Sequence, residues 1–263
     1  MSFENPKSIL ITGASSGIGA ALAEQYAEAG VTLFLGGRDP DRLDAIAQRC
    51  RTKGAAVLTQ VCDVVDEAGM RAWIEASDDH QPLNLVIANA GIAGGTPHVS
   101  GLQEVALTVF EANVTGIFNT IHPALERMAK RPWPVSDAQI AIMSSMWGHL
   151  GSARSPAYVS SKAAVKAYGQ SLRGAVRHMG IGVTVLCPGY VRSAMLNESM
   201  ASVPFLIDAD KAARIMRRAL ARNKARITFP WQVRWLAMIA INLPGWLVDR
   251  LNKPYGVPRL DDQ

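Results

Sequence analysis

Short apolar runs alternate with longer amphipathic stretches along the chain, and that rhythm predicts a sheet wrapped by helices. Lys7-Ser8-Ile9-Leu10-Ile11-Thr12 reads as a buried strand, and Gly13-Ala14-Ser15-Ser16-Gly17-Ile18-Gly19 follows it at once. A helical stretch over 20–29 comes next and is closed by Gly30. The pattern repeats as a strand over 31–35, a helix over 41–53 ended by Gly54, a strand over 55–61, a helix from near Asp66 and a strand over 83–88. One long helix over 101–130 repeats apolar residues at Val105, Val109, Ile117 and Ile121, then stops at Arg131-Pro132-Trp133-Pro134. A strand over 139–143, a helix reaching 179, a strand over 181–186, a basic helix over 210–222 and a last strand over 227–229 complete the series.

Strands that alternate with helices pair in parallel through right-handed crossovers. The expected fold is therefore α/β: a Rossmann-like doubly wound parallel sheet of about seven strands, with helices on both faces and a single domain. That domain is expected over 1–230, with an apolar C-terminal extension over 231–263. Weak periodicity over 195–208, above the ligand edge of the sheet, makes that stretch a candidate substrate lid.

Composition supports a filled core: 49% of the 263 residues are hydrophobic and 19% are charged. Net charge is 27 − 22 = +5, with basic residues gathered over 214–234. No motif or aromatic platform accompanies them, so nucleic acid is not an expected partner. Cys50, Cys62 and Cys187 have no metal-ligand spacing, and so sparse a count fits free thiols in a reducing, cytoplasmic compartment. The first seven residues lack a signal pattern and run straight into a strand.

The tail over 231–248 is strongly apolar and flanked by Lys and Arg. Its uncharged run, 235–248, falls short of the ~20 residues a bilayer requires and contains Pro244-Gly245. Two readings stay open: packing on its own domain or a partner subunit, and peripheral membrane contact through 231–251.

The chemistry concentrates at strand ends, on the ligand side of such a sheet. The glycine-rich first turn lets a pyrophosphate approach the backbone and the free N–H groups of a helix N-terminus. Glycine ends the second strand where an NAD site places a carboxylate, and Arg38 follows, which favours a 2′-phosphate and hence NADP(H). Asp39-Pro40 reads instead as a helix cap followed by proline at the first helical position. Asp63, beside Val64, either accepts from an adenine amino group or caps the next helix, and Asn89-Ala90-Gly91 places a small polar turn at the same edge. Asn113 lies on a buried stripe; it bridges backbone groups, holds a water through its carbonyl, or does both.

Tyr158 and Lys162 stand four apart on one helix face, with Ser145 thirteen residues before the tyrosine. An ammonium beside a phenol favours the phenolate. These groups can move a proton on or off an alcohol or carbonyl oxygen; the hydride must come from a cofactor.

In order and at family spacing, Thr12-Gly13-Ala14-Ser15-Ser16-Gly17-Ile18-Gly19, Asp63-Val64, Asn89-Ala90-Gly91, Asn113, Ser145, Tyr158, Lys162 and Pro188-Gly189 resemble the short-chain dehydrogenase/reductase family in its single-domain branch. The resemblance implies Tyr158 as general acid/base, Lys162 lowering its pKa and holding the nicotinamide ribose, Ser145 orienting the substrate oxygen and Asn113 anchoring a proton-relay water. It also implies that Pro188, Gly189 and Val191 line the nicotinamide pocket and that Ser193 binds the carboxamide, where the family usually has threonine. Ala88 replaces a family asparagine. His149 could touch substrate but reads better as an ordinary loop histidine, whereas Trp147, Tyr190, Met195 and Leu196 suit an apolar pocket and lid packing equally. The expected substrate is an apolar carbonyl or secondary alcohol, and the expected assembly a homodimer or homotetramer. The rival reading is a non-catalytic dinucleotide-binding regulator or scaffold on the same fold.

Overall fold

The computed structural model describes residues 3, 5–94, 101–132, 137–153, 155–192 and 205–251. In chain order its first half runs β1 (Ser8–Thr12), α1 (Gly17–Tyr26), β2 (Thr32–Gly37), α2 (Pro40–Thr52), β3 (Ala56–Val61), α3 (Glu67–His80) and β4 (Leu85–Ala88). Then come α4 (Leu102–Phe110), α5 (Gly116–Ala129), β5 (Gln139–Met143), α6 (Pro156–Val176) and β6 (Gly182–Pro188). The remainder is β7 (Val191–Arg192), β8 (Ile207–Asp208), α7 (Ala209–Ala221), β9 (Arg226–Phe229), α8 (Trp231–Ile241) and α9 (Gly245–Leu251).

Seven strands form one parallel sheet in the order β3-β2-β1-β4-β5-β6-β9, as the alternation of elements predicts. Every residue of β1, β4, β5 and β6 is buried, because helices cover both faces. The two-residue period of a strand splits each apolar run between two cores. Ile9, Ile11, Leu33, Leu35 and Leu85 face one core with Leu22 and Met216. Leu10, Phe34, Val86, Ile140 and Ile142 face the other with Ile121 and Val165. Strand order reverses between β1 and β4, so a crevice opens at their C-terminal ends.

Three boundaries depart from the sequence reading. The first helix starts at Gly17 rather than 20, so the last glycines of the first turn already belong to its opening turn. The single helix expected over 101–130 is instead α4 and α5 joined by a π-helical turn, Glu111–Thr115, which carries the buried Asn113. Such a turn inserts an extra residue without ending the helix, so the apolar periodicity on either side conceals it. The third is β7 and β8, which pair in parallel as a separate two-stranded ribbon too short to leave a sequence pattern. Ser193, Met195, Leu196 and most of the candidate lid lie outside the described residues, as does the loop over 133–136.

The tail forms the two helices α8 and α9. Val233 is buried, and α8 packs on β9 and on the 3-10 turn Met146–His149. Among the described residues no helix is long and apolar enough to cross a membrane.

Candidate active site

A cleft of about 940 Å³ runs along the C-terminal edge of the sheet. At one end Gly13, Ser15, Ser16, Gly17 and Ile18 line it. Ser16 occupies the N-cap of α1, yet its side chain makes no capping hydrogen bond, so the opening N–H groups of the helix are left to the cleft. Gly19 does not line the cleft but packs behind it, where an added Cβ would stand 2.2 Å from the Gly13 carbonyl oxygen. The turn is tied to β4 by Asn89, whose amide donates to the carbonyls of Thr12 at 3.0 Å and Gly13 at 3.2 Å. Thr12 Oγ1 accepts from the backbone of Asn89 and Ala90 in return.

Beyond the β2 end two arginines, Arg38 and Arg42, and two carboxylates, Asp39 and Asp63, line the cleft. Arg38 is exposed and stands 3.9 Å from the Asp63 carboxylate. Asp39 caps α2, accepting from Arg42 N at 3.0 Å, which gives that carboxylate the structural job its sequence context predicts. The backbone and side chain of Arg42 hold the Asp39 carboxyl below its ordinary range. Arg42 itself lines the cleft, a second cation that the sequence reading missed because it sits inside an ordinary helix. Asp66, not Asp63, caps α3, accepting from Gly69 N at 3.0 Å. Asp63 and Val64 line the cleft beside Cys62, whose thiol burial pushes up to about 11.

At the other end lie Ser145, Tyr158, Lys162, Pro188, Gly189 and Val191, with Asn89, Ala90 and Gly91 between the two halves. Ser145 is the second residue past β5, and Tyr158 and Lys162 project from the first turns of α6, which begins at Pro156. The Ser145 hydroxyl hydrogen-bonds to the Tyr158 phenol and also accepts from Trp147 N at 3.2 Å. Ser144 turns away, donating to the Lys162 carbonyl at 2.7 Å, so only Ser145 reaches the phenol. Lys162 is 4% exposed, so its stem and ammonium lie inside the fold rather than in solvent over the tyrosine. Its ammonium donates to the Met143 carbonyl at 3.0 Å and stands 5.9 Å from the centre of the Tyr158 ring.

The electrostatics differ from the sequence expectation. Desolvation raises the Tyr158 pKa, opposed by the Ser145 hydrogen bond, so the net shift is upward rather than downward. Desolvation lowers Lys162 to about 8. Both groups are held towards their neutral forms because burial penalises each charge separately.

Asn113 is fully buried beneath the cleft rather than lining it. Its Oδ1 accepts from Ile92 N at 2.7 Å; its Nδ2 donates to the Ile92 carbonyl at 2.9 Å and to Ser161 Oγ at 3.0 Å. Gly91 permits this packing, since an added Cβ would stand 2.7 Å from Asn113 Oδ1 and 3.2 Å from Lys162 Nζ. Trp147 and Tyr190 line the cleft and meet edge to face at 5.7 Å. His149 does not line it; Nδ1 lies 3.1 Å from Lys166 Nζ, and burial lowers its pKa to about 4. Lys166, one turn beyond Lys162, also donates to the Gly148 carbonyl at 2.6 Å and so fastens the turn after Ser145 to α6. Sequence reading missed Lys166 and Leu243, the latter lining the cleft from the tail.

The family model described as short chain dehydrogenase matches residues 7–203. An uncharacterized oxidoreductase from Myxococcus xanthus is 34% identical over 245 residues, which are 92% of this chain and 95% of that one. Two solved structures share the fold. A short chain dehydrogenase from Mycobacterium paratuberculosis bound to NAD has a TM-score of 0.73 at 21% identity, over 87% of this chain and 97% of that one. An actinorhodin polyketide ketoreductase with NADPH has a TM-score of 0.74 at 23% identity, over 87% and 97%. The chain belongs to the short-chain dehydrogenase family, a family of oxidoreductases on an NAD(P)-binding Rossmann fold.

Proposed function

We propose that the protein is an NADP(H)-dependent oxidoreductase that interconverts a carbonyl and a secondary alcohol on an apolar small molecule, with Tyr158 as general acid/base. One observation carries this reading: the Ser145–Tyr158 hydroxyl pair closes one end of a cleft whose other end offers a helix N-terminus and two arginines. The donor set fits a phosphorylated dinucleotide. The α1 N–H groups suit the pyrophosphate, Arg38 and Arg42 a 2′-phosphate, and Asp63 the adenine amino group. Lys162 would reach the nicotinamide ribose, and Pro188, Gly189 and Val191 would face the ring; Ser193 as the carboxamide partner belongs to the same reading.

NADPH, when bound, supplies the hydride. Tyr158 gives its proton to the substrate oxygen, and Ser145 holds that oxygen in line with the phenol. The raised phenol pKa keeps that proton in place at neutral pH, so carbonyl reduction uses Tyr158 in its ground protonation state. Lys162 carries charge next to the developing phenolate, and the Asn113 backbone carbonyl, in the π-helical turn, would hold a relay water. Trp147 and Tyr190 give the substrate end an aromatic wall. A regulator or scaffold would gain nothing from a buried ammonium and a buried phenol, both costly to fold. Assembly as a homodimer or homotetramer through α5 and α6, in the cytoplasm, completes the reading.

The test is a panel of apolar ketones and secondary alcohols followed by nicotinamide absorbance, with NADPH and NADH in parallel. Turnover with NADPH on at least one ketone is expected, with NADH weaker. No turnover on any member, or NADH used equally well, would contradict it.

A further inference from the structure

We infer that the outer face of α8 and α9 is a docking surface for an anionic lipid bilayer. Trp231 is 67% exposed, Trp235 59%, Met238 46%, Ile239 58% and Trp246 69%. At 100° per residue the four on α8 fall within an arc of about 140° that also holds Arg234, while Val233 points the opposite way into the domain. Half of the chain's six tryptophans therefore stand in solvent on two adjoining short helices. Isolated exposed apolar residues are ordinary; a stripe of large ones on one helix face marks a contact surface.

The chemistry of the stripe selects its occupant. Tryptophan pairs a large apolar ring with one N–H donor and favours the headgroup level of a bilayer. Arg234 on the stripe and Arg250 on α9 are exposed cations, and α8 contains no Asp or Glu. A second copy docking across a two-fold axis would bring this same basic face against itself, with Asp249 on α9 the one carboxylate on the two helices. Anionic headgroups receive both arginines, and the net charge of +5 adds long-range attraction. At eleven residues α8 is far shorter than a membrane span, so it lies in the interfacial plane. Leu243, between the two helices, lines the cleft, so the docked surface borders the cavity mouth.

Co-sedimentation of the full chain with phosphatidylcholine vesicles, alone or with 30% phosphatidylglycerol, tests the inference without any turnover measurement, so its outcome is independent of the oxidoreductase reading. Binding at least about fivefold greater to the anionic vesicles is expected. It should fall to the phosphatidylcholine level in the Trp231→Ser/Trp235→Ser/Trp246→Ser variant, whose far-UV spectrum and thermal unfolding serve as the fold control. Arg234→Glu alone should weaken anionic binding and leave the control unchanged. A wild-type chain that stays in the supernatant with both vesicles overturns the inference, as does a triple variant that still sediments. A wild-type dimer that the triple variant dissociates, with no vesicle binding by either, would assign the face to a second copy and equally overturn it.

Discussion

Replacing Lys162 with methionine should abolish turnover while making the fold more stable at neutral pH. The ammonium is buried and ionises at about 8 in place of 10.5. At about 1.4 kcal/mol per pH unit, keeping it charged at pH 7 costs the folded state about 3 kcal/mol. Methionine fills a similar volume without that cost but leaves the Met143 carbonyl short of one donor, a loss of about 1 kcal/mol. The net gain is about 2 kcal/mol, or roughly 4–8 °C in Tm for a chain of this size. The sign against pH follows from proton counting. Between pH 8 and 10.5 the unfolded chain binds more protons at this site than the folded one, so the wild type gains stability as pH rises through that window. By pH 9.5 its handicap has shrunk to about 1 kcal/mol and the advantage of Lys162→Met should nearly vanish. Thermal unfolding of both proteins at pH 7 and pH 9.5 reads this directly. A variant less stable than the wild type by more than about 1 kcal/mol at pH 7 would refute the reasoning.

Removing the Asn113 amide with Asn113→Ala should leave Ile92 N and Ile92 O without partners in a half-buried position, costing about 1–3 kcal/mol and lowering Tm accordingly, as calorimetry would show. The double variant Arg38→Ala/Arg42→Ala should raise the KM for NADPH by about 10- to 100-fold while changing that for NADH little; steady-state kinetics with each coenzyme separates the two. Gly91→Ala should impair turnover at least about tenfold, because the added methyl forces Asn113 or Lys162 aside, and a Tm drop of about 1–3 kcal/mol equivalent should accompany it.

Much of this fold was legible because a doubly covered parallel strand is an unbroken apolar run. Strand β5 is bounded where the sequence places it, and the cap Asp39 marks its helix. Less legible were features that depend on a third dimension. The π-helical turn at Asn113 hides inside a continuous helical periodicity, and Arg42 and Lys166 look like surface cations until α2 and α6 are packed. The electrostatics of Lys162 were hidden for a related reason: four-residue spacing predicts attraction to a phenolate, whereas burial acts on both partners first and disfavours the charge on each. In the tail, sequence showed apolar residues with basic flanks; only the helices reveal that Val233 turns inward while three tryptophans turn out.

The central claim is that Tyr158 delivers the proton. NADPH titration by fluorescence, paired with turnover of Tyr158→Phe on an accepted ketone, tests it most directly. NADPH binding within about twofold of wild type and turnover lower by about 10²–10⁴-fold are expected. Unchanged turnover in Tyr158→Phe would contradict it.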